Sequence, residues 1–148
     1  MKDQRNKFKI LIVEDDDQHA ELIQFTLCET AQKPRVWRAA DGEEAVAFLE
    51  RRAPFEDAER PSLILLDLKL PKMDGLEVLD YIKNSENLKT IPVVMLTTSA
   101  SQKDKIKAYE SHVNSYLVKP MDFGDFMKLA QDVCNYWGRL NNPLSVAE

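Results

Sequence analysis

Glu14, Asp15, Asp67 and Lys119 each stand at the carboxyl end of an apolar run. Lys9-Ile10-Leu11-Ile12-Val13 leads into Glu14-Asp15, Leu63-Ile64-Leu65-Leu66 into Asp67, and Tyr116-Leu117-Val118 into Lys119-Pro120. Short apolar runs between turn signals predict buried strands of a parallel sheet. Chemistry in such sheets gathers outside the carboxyl ends of the strands, so the four side chains are predicted to share one pocket. Three carboxylates and an ammonium at one spot suit a divalent metal and a phosphoryl group.

The cluster needs a counter-charge, because a carboxylate beside two others resists ionisation. Mg²⁺ supplies one: it prefers oxygen and takes one or two carboxylates, with water and phosphate oxygens completing its shell. A carboxylate is also a nucleophile toward phosphorus and forms an aspartyl-phosphate. Metal and lysine would offset charge on the phosphoryl oxygens during transfer. Asp67 is the predicted nucleophile, since it follows the most apolar run, and Glu14 and Asp15 are the predicted metal residues. Acidic residues after strands also cap helices, and Asp16 or Asp17 suits that role. Capping alone does not account for matched strand ends that include a lysine.

Other candidates are weaker. Thr97 ends the fourth strand, where its hydroxyl would reach a bound phosphate; Thr98 reads as an ordinary strand residue. Tyr116, taken alone, reads as core. Lys119-Pro120 invites a cis peptide that would aim the lysine inward. His19 follows the acidic cluster on a first helical turn and reads as a solvated imidazole rather than a catalytic one. His112 carries no signal.

These residues need a scaffold of alternating strands and helices. Strands are predicted at Phe8–Val13, Arg35–Ala39, Leu63–Leu66, Val93–Thr97 and Ser115–Val118. The first helix places Ala20, Ile23, Leu27 and Ala31 on one face. The second follows Asp41-Gly42 and buries Ala45, Phe48 and Leu49. The third follows Asp74-Gly75 and turns Leu76, Leu79 and Ile82 inward with Val78 beside them. The fourth, about Gln102–Glu110, has only Ile106, Ala108 and Tyr109 to bury. The fifth carries Phe123, Phe126, Ala130, Val133 and Trp137 at helical spacing. Right-handed crossovers then give an α/β, doubly wound parallel sheet covered on both faces. Arg51–Pro61 reads as an exposed loop.

The chain of 148 residues, 44% hydrophobic, is predicted to be one domain over 1–148 with its core at about 8–137. About ten residues follow the fifth helix, so no output domain is expected. No run approaches the ~20 apolar residues of a membrane span. Met1–Lys7 is basic without a signal-type apolar segment behind it, so a cytoplasmic protein is predicted. A net charge of −5 without a basic tract gives nucleic-acid binding no support. Cys28 and Cys134, far apart and without metal spacing, read as buried reduced packing residues.

Four stretches together resemble the receiver domain of bacterial two-component response regulators. They are Ile10–Asp16 (ILIVEDD), Leu65–Gly75 (LLDLKLPKMDG), Val93–Thr97 (VVMLT) and Tyr116–Pro120 (YLVKP), in order and properly spaced. The resemblance spans about Phe8–Trp137 and implies a five-stranded sheet in the order 2-1-3-4-5. It implies that Asp67 accepts phosphate from a histidine kinase. Mg²⁺ would be held by Glu14, Asp15, Asp67 and the backbone carbonyl of Lys69. Thr97 would shift onto the phosphate, Tyr116 would change rotamer, and Lys119 would pair with the phosphate. Glu14 stands where many members carry Asp, which keeps the charge.

Within the family the chain is similar to the stand-alone regulators of cyanobacterial and bacterial phytochrome kinases. The Arg51–Pro61 loop, Asn87–Pro92, Leu96–Ser99 and Tyr136-Trp137 carry that similarity. It implies a phytochrome-type sensor kinase as partner and a homodimer through the fourth helix, fifth strand and fifth helix. Readout would pass to a downstream target by contact or onward phosphotransfer. Two other classes compete. A phosphohydrolase resembling haloacid dehalogenases expects a second acid two residues after the nucleophile, where this chain has Lys69. A receiver-like binding module without phosphorylation is disfavoured by retention of every expected pocket residue.

Overall fold

The computed structural model describes residues 8–145, so the basic Met1–Lys7 stretch lies outside it. Strands β1 (Lys9–Val13), β2 (Arg35–Ala39), β3 (Leu63–Leu66), β4 (Val93–Thr97) and β5 (Ser115–Val118) alternate with five helices. These are α1 (Asp17–Cys28), α2 (Gly42–Leu49), α3 (Gly75–Lys83), α4 (Gln102–Glu110) and α5 (Phe123–Asn135). A π-helical turn, Tyr136–Leu140, continues α5. All pairings are parallel and the strand order is 2-1-3-4-5, as the resemblance implies.

The central strands are apolar on both faces because both faces are covered. Leu11, Val13, Ile64, Leu66, Val93 and Met95 pack under α2, α3 and α4 with Phe48, Leu79, Ile82 and Ala108. The alternate residues Ile10, Ile12, Leu63, Leu65, Val94 and Leu96 pack under α1 and α5 with Ile23, Leu27, Phe126 and Val133. Each fully buried aliphatic side chain of this kind contributes about 1.5–3 kcal/mol relative to exposure.

Aspartates start four of the helices: Asp16, Asp41, Asp74 and Asp122 each accept an amide of the first turn. At α3, Asp74 and Glu77 satisfy each other's amides in a capping box. Gly75 is required there by space, since a Cβ would sit 2.2 Å from the backbone oxygen of Asp67. That close approach seats the start of α3 against the loop that follows β3.

Several expectations need correction. Phe8 is buried but precedes β1, although its carbonyl still accepts from Arg35 N at 3.0 Å. Ala31 lies beyond the end of α1 and is exposed. Ile106 and Tyr109 on α4 are 48% and 53% exposed, leaving Ala108 as the helix's one buried residue. Phe123 is also exposed and leans on exposed Phe25, with ring centroids 6.3 Å apart. Trp137 is only half-buried, in the π-helical turn. Cys134 is buried, but Cys28 is exposed. The cis peptide among the described residues is Ala53-Pro54, so Lys119-Pro120 is trans. The Arg51–Pro61 loop is exposed at its start and pinned further on. Phe55 packs on Phe48, Glu59 bridges Lys9 and Arg35, and Arg60 donates to the Asn87 carbonyl.

The contrast between α3 and α4 is measurable. Leu79→Ala removes a completely buried side chain and should destabilise by about 2–5 kcal/mol, whereas Ile106→Ala should change stability by about 0.5 kcal/mol or less. Urea unfolding of the two variants checks both values.

Candidate functional site

The register sets the site. Val13 pairs with Leu66 across β1 and β3, so Glu14 and Asp67 leave adjacent strands side by side. The Asp67 amide donates to the Val13 carbonyl at 3.0 Å, and the Lys119 amide to the Thr97 carbonyl at 2.7 Å. These bonds extend the ladders by one residue, and the residue carried out is in each case a charged member of the cluster.

Glu14, Asp15 and Asp67 each offer a carboxylate oxygen, and the three oxygens lie within 4.8 Å of one another. Lys119 Nζ lies 2.5 Å from Glu14 Oε1 and 3.5 Å from Asp67 Oδ2. Glu14 and Lys119 are buried, with side chains 2% and 4% exposed. Asp67 Oδ1 accepts the Leu68 amide at 2.7 Å, which fixes the carboxylate and leaves Oδ2 facing the ammonium. Leu68, Lys69 and Asp15 line a cavity of about 400 Å³ beside the cluster, together with Asp74 and Asp104.

Burial pushes the Glu14 carboxyl above its ordinary value of 4.5; the Lys119 hydrogen bond opposes this, and the charge of Asp67 adds to it. When all three carboxylates ionise, one ammonium leaves two negative charges uncompensated. Hard oxygen donors at this spacing fit a divalent ion such as Mg²⁺ or Mn²⁺. Glu14, Asp15 and Asp67 are the residues that would hold it.

Thr97 is buried at the end of β4, and its Oγ1 accepts the Ser99 amide at 3.2 Å. Tyr116 packs partly against the core under α3 and α4 and donates its hydroxyl to the Ser99 carbonyl at 2.9 Å. Burial raises the Tyr116 phenol above its ordinary value, and the Asp104 and Asp67 charges push the same way. Ser99 Oγ in turn donates to Asp104 Oδ2 at 2.6 Å. Thr97 and Tyr116 are therefore tied to opposite groups of one loop residue.

Two contributors were not expected. Arg38 on β2 donates to the Glu14 backbone carbonyl at 3.0 Å and pairs with Asp17 at 2.9 Å, clamping the β1–α1 loop from the side. A charged residue near a strand's carboxyl end, in register with Ile12, was the available signal. His19 is the second: it is half-buried, with Nδ1 2.9 Å from Lys119 Nζ, rather than solvated. Its sequence position gave no hint, because the contact spans a hundred residues.

A doubly wound 2-1-3-4-5 sheet with an acidic cluster and a lysine at its carboxyl edge defines a class of signalling protein. The chain belongs to the response regulator receiver domain family, whose profile matches residues 10–131. It is 44% identical to response regulator Rcp1 of Synechocystis sp. over 138 residues, 93% of this chain and 94% of that one. The structure of the phosphorylated cyanobacterial phytochrome response regulator RcpA superposes with a TM-score of 0.88 at 38% identity, covering 93% of this chain and 99% of that one. The Mn²⁺-bound form of Rcp1 superposes at 0.86 with 41% identity, covering 93% and 99%. The resemblance to stand-alone phytochrome response regulators thus holds along almost the whole chain. No helix among the described residues is long and apolar enough to cross a membrane.

The raised Glu14 carboxyl sets a sign for metal binding. Glu14 keeps its proton to higher pH than a free carboxyl, and a cation must displace that proton. Mg²⁺ affinity measured by calorimetry should therefore tighten between about pH 5 and about pH 8, and Glu14→Gln should flatten that dependence. Equal affinity at both ends in the wild type would contradict it.

Proposed function

We propose that the protein is a phosphorylatable switch in which Asp67 accepts a phosphoryl group from a sensor histidine kinase. The observation that carries this reading is the posture of Asp67. One oxygen is held by a backbone amide, and the other faces a buried ammonium inside the acidic cluster. Its carboxylate attacks phosphorus, an O–P bond forms, and the P–N bond of the donor phosphohistidine breaks. Glu14, Asp15, Asp67 and the Lys69 carbonyl would hold Mg²⁺, which would supply positive charge to offset that on the transferring oxygens. Lys119 then pairs with the phosphoryl group.

The readout follows from the ties on Ser99. A phosphoryl oxygen would accept from the Thr97 hydroxyl, whose oxygen also accepts from Ser99 N, while Tyr116 holds the Ser99 carbonyl. Drawing Thr97 inward shifts this loop and frees Tyr116 to change rotamer, a local charge event coupled to a two-state element. Similarity to Rcp1 and RcpA supports a phytochrome-type kinase as the donor, and the proposed place of action is the cytoplasm. Exposed Ile106, Tyr109 and Val118 place apolar surface on α4 and β5, which supports a homodimer through α4, β5 and α5. The signal passes on to a target protein by contact or by further phosphotransfer.

Intact-protein mass after incubation with acetyl phosphate tests the acceptor. A single-phosphoryl adduct should form only with Mg²⁺ and be absent from Asp67→Asn; an equal adduct on that variant would overturn the assignment. Lys119→Ala should still label but lose the change in the Tyr116 ring environment that phosphorylation produces, read by NMR. For the dimer, Tyr109→Glu should lower the sedimenting mass, and an unchanged value would remove α4 from the interface.

A further inference from the structure

Lys119 has one ammonium and three acceptors. Two are close, Glu14 Oε1 at 2.5 Å and His19 Nδ1 at 2.9 Å, and the third, Asp67 Oδ2, is at 3.5 Å. An ammonium carries three donors and no acceptor, so the Nδ1 it touches must be the unprotonated nitrogen of a neutral imidazole. The backbone that carries the imidazole is held, because the His19 amide donates to the Asp16 carboxylate at 3.0 Å as part of the α1 cap.

We propose that His19 is a positioning residue for Lys119. With Glu14 and His19 each taking one hydrogen, the third is left for the Asp67 side, where Oδ2 lies 3.5 Å away and the phosphoryl group would arrive. His19 also shares the ammonium that would otherwise settle wholly on Glu14, a carboxylate needed for the metal. Glu14 is drawn in two directions, by Lys119 and by a cation; His19 stands outside the acidic triad that would hold the cation. It is therefore the partner that keeps the ammonium oriented when the metal site fills. This inference rests on the phosphoacceptor reading of Asp67 and adds a residue that acts through Lys119.

Two variants separate an acceptor role from a packing role. His19→Asn places an amide oxygen near the position of Nδ1 and keeps an acceptor, whereas His19→Leu fills similar space without one. The readout is the affinity for beryllofluoride, a phosphoryl mimic, with saturating Mg²⁺, measured by calorimetry on the full chain. Thermal unfolding of each variant serves as the fold control. His19→Leu should bind about tenfold more weakly and His19→Asn within about twofold of wild type, a pattern expected of one lost charge-assisted hydrogen bond. Equal binding by His19→Leu and wild type overturns the proposal, as does equal loss in both variants, which marks a packing role. A folded wild type that takes no beryllofluoride overturns the Asp67 reading itself and this inference with it; normal wild-type binding with indistinguishable variants removes His19 alone.

Discussion

A buried ammonium among carboxylates is expensive to assemble unless each partner is in place, and much of this molecule serves to keep Lys119 there. Removing one partner of such a group leaves a buried charge uncompensated, at roughly 3–5 kcal/mol. The scaffold meets this cost by rigidity. β3 and β4 are buried along their whole length and β1 from Ile10 onward, and the ladders continue one residue further to fix the backbones of Asp67 and Lys119. The site is thus attached to the least deformable part of the fold.

Around that fixed centre the polar groups are arranged asymmetrically. The β1–α1 side is clamped: Arg38 holds the Glu14 carbonyl, Asp16 caps α1, and the His19 ring meets Lys119. The β4–α4 side is held by a few hydrogen bonds through Ser99 to Thr97, Tyr116 and Asp104, and it leads into α4, which buries only Ala108. A helix with so little buried apolar surface has little to resist displacement. On the proposed reading the side that would bind is stiff and the side that would respond is loosely packed, the arrangement a two-state element needs.

The charged cluster was legible because strand ends are marked locally. An apolar run stops, a charged residue follows, and in a parallel sheet every such stop falls on the same edge. Element boundaries were legible for the same reason, helped by the Asp caps of α1, α2, α3 and α5 and by the Asp-Gly pairs before α2 and α3. Partial burial was harder to read. Helical spacing put Ala31, Tyr109 and Phe123 on inward stripes, yet each lies where no neighbouring element covers it. Periodicity states which residues share a face; it does not state how far the opposing surface extends.

The sequence by itself determined the fold class, the strand order through its resemblance, and the identity of the acidic cluster with its lysine, since each depends on local pattern and fixed spacing. Tertiary structure alone decided that His19 meets Lys119, that Arg38 holds the Glu14 carbonyl, and how the loop around Ser99 is tied. The His19 contact to Lys119 crosses 100 residues of chain, and Arg38 reaches back 24 residues to the Glu14 carbonyl. Contacts of that span arise from side-chain reach across packed elements, and no spacing rule along a single chain encodes them.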